Sequence, residues 1–89
     1  MLRDRHPDPD PGALALAALG WLLGEEPRAD RFLALTGLDP DGLRAALGTR
    51  AVQAAVLDFL AAHEPDLVAA AQALGVSPMA LVRAGEALA

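Results

Sequence analysis

The chain has no cysteine, and that absence removes disulfides, thiolate metal sites and thiol nucleophiles together. It has no lysine either. Its seven basic residues are all arginine, set against twelve carboxylates for a net charge of -5. That balance argues against a general nucleic-acid or anionic-membrane surface, since both attract through excess positive charge. Isoleucine, tyrosine and asparagine are missing, and Trp21, Phe32 and Phe59 are the only aromatics. The stock of strand-forming side chains is correspondingly poor. An uncharged run, residues 11–24, follows Arg3 and Arg5 as a secretory leader would, but falls short of the ~20 apolar residues that span a bilayer. Asp8 and Asp10 stand before it and Glu25 and Glu26 after it. A similar element recurs at residues 51–62, where no targeting role exists, so the run reads as part of the fold. A cytoplasmic location and no membrane contact are the expectation.

What the chain does contain is alanine, leucine and valine, within an apolar content of 54% over 89 residues. That suffices for one small core built from helices packed closely through small side chains. The helix punctuation also occurs twice. Residues 13–46, slid along by 38, fall without a gap on residues 51–84, matching Glu26-Pro27 to Glu64-Pro65, Gly37 to Gly75, Asp39-Pro40 to Ser77-Pro78 and Leu43 to Leu81. The fold expected is all-α: a compact orthogonal bundle of about six short helices in two three-helix halves related by an internal pseudo-repeat. Residues 1–11, where charge alternates with proline, read as a disordered arm, and residues 12–89 as a single helical domain.

Pro11 or Gly12 to Gly24 forms the first expected helix, with leucines on every side of the cylinder, a pattern that implies burial on most sides. Glu25-Glu26-Pro27 breaks it. The second helix, 27–36, should bury Phe32, Leu33 and Leu35 and stop at Gly37 in a left-handed conformation. Leu38 plugs inward, Asp39 caps and Pro40 opens a third helix with Leu43 and Leu47 on its inner face. Thr49 caps a fourth, 50–62, striped by Val52, Val56, Phe59 and Leu60. Glu64-Pro65 starts a fifth that ends at Leu74-Gly75, and Ser77-Pro78 a sixth with Leu81, Val82 and Leu88 as its apolar stock.

Residues 69–88 have the outline of a helix-turn-helix, with small Ala71, Gly75 four later, Val76, and Leu81 and Ala84 turned inward. The outward positions, Pro78, Met79, Ala80, Val82, Arg83 and Glu86, offer only Arg83 for a strong base contact. Nucleic-acid binding is therefore the alternative function, disfavoured by charge, and it would require a basic face built from Arg44, Arg50 and Arg83. His63 beside Glu64 suits a helix C-terminus as a cation. His6 lies in the arm. Ser77, the only serine, reads as a cap, and the acidic pairs Glu25-Glu26 and Asp39, Asp41 as first-turn carboxylates. No convergent metal ligands, no base with an orienting partner and no glycine-rich phosphate loop occur in the sequence. The expectation is a non-enzyme without metal, cofactor, small-molecule substrate or catalytic residue.

Comparison of the first helix with its counterpart points to a surface. Arg50, Gln53 and Asp58 correspond to Gly12, Ala15 and Gly20, so the polar positions of one helix are small and apolar in the other. A domain this short has difficulty covering a helix on all sides. The favoured function is thus a non-catalytic interaction module or homodimer using this helix, with Leu14, Trp21 and Leu22 as the candidate interface.

The uncharged helix with Trp21-Leu22-Leu23, the run RFLALTGLDPDGLRAAL from Arg31 to Leu47, AVLDFLAAHEPDL from Ala55 to Leu67 and the ALGVSP turn together resemble a family of short, mostly alphaproteobacterial proteins. That family is catalogued only as a domain of unknown function. The resemblance implies a small all-helical domain with no assigned activity, cofactor or catalytic residue.

Overall fold

Proline stands in the first two positions of five of the six helices that the computed structural model places among residues 10–89, the residues it describes. There its fixed φ is already helical and its missing N–H costs no hydrogen bond. The helices are α1 (Pro11–Leu22), α2 (Glu26–Thr36), α3 (Pro40–Ala46), α4 (Arg50–Ala61), α5 (Glu64–Leu74) and α6 (Pro78–Leu88). The chain is an all-α bundle of short helices, as expected. The arm foreseen over residues 1–11, with His6, lies outside the described residues through position 9.

Side-chain caps satisfy free N–H groups where helices begin. Asp39 Oδ1 accepts from Gly42 N at 2.6 Å, Ser77 Oγ from Ala80 N at 3.0 Å, Thr49 Oγ1 from Val52 N at 3.2 Å, and Asp10 Oδ2 from Ala13 N at 3.0 Å. At the other ends, α2 and α5 stop at Gly37 and Gly75, with φ of 74° and 72°, the left-handed geometry that closes a helix. Gly75 then lets α6 leave α5 at 102° through a three-residue turn, the crossing of a helix-turn-helix.

The helices are not packed evenly. α1, α4, α5 and α6 pack against one another, with α4 and α6 the most closely engaged pair. Small residues permit this: Ala15, Ala18, Ala70, Ala71 and Ala84 are buried, and a Cβ built on buried Gly85 would stand only 3.3 Å from Leu57 Cβ. The amphipathic reading of α4 holds, with Val52, Val56 and Leu60 buried and Phe59 partly so; buried Leu57 belongs to the same face. Phe32, fully buried, attaches α2 to α4 by meeting Phe59 edge to face at 5.5 Å. Leu35, expected inside, is instead 75% exposed. It follows Phe32 by three positions, but α2 touches the body along one narrow line and its shoulder stays in solvent.

α3 is held by buried Leu43, with Leu38 and Leu47 partly covered. The helix starts Glu26 and Pro40 recur 38 residues later as Glu64 and Pro78, yet the packing of the two halves differs. α4 and α6 interlock, whereas α1 and α3, in the corresponding places, leave a groove between them.

Candidate functional site

Asp10 caps α1, and from Pro11 to Leu22 the helix carries no charged side chain. Burial splits it into two faces. Leu14, Ala15, Ala18, Leu19 and Leu22 are turned into the core, at the helical spacing of 14, 18 and 22 with 15 and 19 beside them. Ala13, Leu16, Ala17, Gly20 and Leu23 lie on the opposite side, exposed. Two of the residues expected at an interface are therefore core residues: Leu22 is fully buried and Leu14 is 6% exposed. The physical reason is that α1 is apolar all round, so composition cannot select which stripe faces inward. Nor is the helix buried on most sides, since Leu16 and Leu23 remain 40% and 41% exposed.

Trp21 sits at the edge between these faces, half-buried. The guanidinium of Arg28 lies over its ring at 3.8 Å and donates from Nη2 to the Trp21 carbonyl at 2.8 Å and from Nη1 to Glu25 Oε1 at 2.6 Å. The stack fixes the corner between α1 and α2, and it covers the ring face that an interface anchor would present.

The exposed side of α1 forms one wall of a groove of about 470 Å³. Leu16, Gly20 and Leu23 line that wall together with the core residue Leu19, Leu33 of α2 contributes, and Pro40, Leu43, Arg44 and Leu47 line the wall opposite. Arg44, the one charged liner, pairs with Asp41 at 2.9 Å on the exposed surface. Gly20 has no heavy atom within 4 Å of where its Cβ would be, so the groove is open above it. From Leu16 to Leu23 the helix rises about 10 Å, two turns. Sequence reasoning found α1 but not this groove, because its second wall comes from α3, whose distance from α1 no local pattern encodes.

A second cluster gathers on the far side of α2. Asp66 Oδ2 receives Arg31 Nη2 at 2.6 Å and faces His63 Nδ1 at 3.0 Å. Arg31 also lies 5.5 Å from the centre of the Phe59 ring. His63 thus faces a carboxylate as well as the end of α4. Arg31, Leu35, Phe59, Ala62 and His63 line a shallow notch of about 300 Å³. The arrangement pairs an imidazole with one carboxylate, but no hydroxyl adjoins it to serve as nucleophile, since Ser77 Oγ is held at the start of α6 by Ala80 N. Arg31–Asp66 is a tie between α2 and α5, and it accounts for the cluster structurally. Among the described residues, no three His, Cys, Asp or Glu side chains gather as a metal ion would require.

The helix-turn-helix geometry of α5 and α6 is realised, with Ala71 and Leu81 almost fully buried and Ala84 behind them. The arginines that a nucleic-acid surface would need are divided. Arg44 is bound to Asp41 on α3, Arg50 donates to the Ala87 carbonyl at 3.1 Å near the end of α6, and Arg83 is exposed on α6 between Met79 and Glu86. No single helix among the described residues is long and apolar enough to cross a membrane.

A family model described as a protein of unknown function (DUF3572) matches residues 8–89. No curated protein and no solved structure matches the chain.

Proposed function

The chain belongs to the DUF3572 family of proteins of unknown function, and on that footing we propose that it is a non-catalytic interaction module whose groove between α1 and α3 takes a helix of a partner protein, apolar along one face. The observation that carries this reading is the exposure of Leu16 and Leu23 across two turns of an uncharged helix, facing a second aliphatic wall. Two turns match the i, i+3 or i+4, i+7 anchors by which an amphipathic helix lies in a groove. A small molecule suits the site less well, because ligand pockets orient their occupants with a few placed polar groups, and here Arg44 is the only charged liner and already paired.

Gly20 supplies the test, since side chains placed there meet open space. Gly20→Ala should raise the stability of the free domain by about 0.5–1 kcal/mol, as removal of a helix-interior glycine does. Gly20→Gln should fold equally well yet obstruct the groove. An 18-residue leucine–alanine helical peptide, titrated into labelled protein and followed by amide chemical shifts, is expected to perturb Leu16, Leu23, Leu43 and Leu47 in the wild type and not in Gly20→Gln. Shifts elsewhere, or equal binding by the variant, contradict the reading.

The 102° crossing of α5 and α6 favours a second reading, a nucleic-acid contact through Arg83. It predicts retardation of duplex DNA at low salt that Arg83→Ala abolishes. The net charge of -5 makes the expected result no retardation by either protein.

A further inference from the structure

Resting on the groove as the docking site, we infer that the helix it receives is cationic along its flanks. The stretch that frames the groove, residues 11–49, contains five carboxylates, Glu25, Glu26, Asp30, Asp39 and Asp41, against three arginines. Every one of those arginines is already committed. Arg28 is spent on Trp21 and Glu25, Arg31 on Asp66 of α5, and Arg44 on Asp41. Glu26 and Asp30 make no ion pair among the described residues, and Asp39 uses Oδ1 on the Gly42 N–H alone. Four of these carboxylates flank groove-lining residues in the chain, although none lines the groove itself. Glu25 and Glu26 follow Leu23 at the end of α1, and Asp39 and Asp41 bracket Pro40 at the mouth of α3.

An aliphatic floor with an acidic surround recognises apolar anchors by burial and selects flanking charge by complementarity. A helix bearing Lys or Arg on either side of its apolar stripe meets the unpaired carboxylates Glu26 and Asp39, which stand near the groove-lining residues in the chain. One bearing Asp or Glu meets a single cation there, Arg44, already paired with Asp41. A second copy of this chain is disfavoured on the same ground, since a symmetric pairing through the groove sets one acidic surround against another.

Two designed peptides with the same leucine–alanine stripe decide this, one flanked by lysines and one by glutamates, each titrated into the full chain at low and at high salt. The lysine-flanked helix is expected to bind about tenfold more tightly at low salt, with the preference shrinking as salt screens it. The double variant Glu26→Gln/Asp39→Asn should lose most of that preference while staying folded, because asparagine caps a helix as well as aspartate does. Equal binding of both peptides at the groove overturns the charge assignment and leaves the docking site standing. Absence of binding by both removes the docking site as well. Lysine-flanked binding that survives Gly20→Gln, or sedimentation equilibrium showing a dimer closed over the groove, also overturns the inference.

Discussion

Replacing Phe32 by alanine is expected to release α2 and α3 as a unit while α1, α4, α5 and α6 stay folded. Phe32 is fully buried and meets Phe59 edge to face, so truncation should cost about 3–5 kcal/mol. The other ties of α2 to the body are weaker. Arg31–Asp66 joins a half-exposed arginine to α5, and a pair so placed contributes about 1 kcal/mol or less. The Arg28 stack holds the α1–α2 corner rather than the helix beyond it. α3 has one buried residue of its own, Leu43. Amide hydrogen exchange reads the outcome directly. Protection should fall in Phe32–Thr36 and Leu43–Leu47 and persist in α4 and α6. Uniform loss of protection would show instead that α2 and α3 are integral to one cooperative unit. Because α3 forms the second wall of the groove, the same variant should also lose binding of the apolar helical peptide.

The sequence was explicit about the ends of helices and much less so about what they pack against. Asp39, Thr49, Ser77, Gly37 and Gly75 announce their roles through local chemistry, since a cap needs a side-chain oxygen and a left-handed residue needs a missing Cβ. Asp10 belongs with them, but its setting among the prolines and charges of residues 1–11 hid it. Facing is another matter. Where a helix has polar and apolar sides, as α4 does, the buried side can be read from the spacing. Where both sides are apolar, as in α1, Leu14 and Leu16 look alike in sequence, and only the packing of α4 and α6 decides that Leu14 is covered. Leu35 is exposed for a different reason, because α2 is amphipathic but meets the body along one narrow line at Phe32. A recurrent spacing of caps likewise fixes where helices start without fixing their partners. Close approach of α4 and α6 depends on Gly85, where a Cβ would stand 3.3 Å from Leu57 Cβ, whereas Leu43 and Leu47 line the groove beside α1.

Leu57→Ala is the contrasting case, and it is expected to destabilise the whole domain. Leu57 is 1% exposed in the seam where α4 meets α6, with its Cβ against the backbone at Gly85. No side chain on Gly85 can move in to fill the space, so the cavity persists and the cost should fall at about 2–5 kcal/mol. A domain of this size has a total stability of about 4–12 kcal/mol, so the loss consumes a large share of it. In urea, where unfolding slopes for small domains run at about 1–2 kcal/mol/M, the midpoint should drop by at least about 1 M. The coincidence of probes matters more than the size of the drop. Trp21 fluorescence reports the α1–α2 corner and far-UV circular dichroism reports all six helices. For Leu57→Ala both should move together, because the α4–α6 seam supports the four helices on which everything else rests. For Phe32→Ala the Trp21 signal should change ahead of the helical one. If the two variants unfold with identical probe behaviour, the division into a packed four-helix body and a separately attached α2–α3 wall is wrong, and the groove loses its basis as a site that a partner can enter.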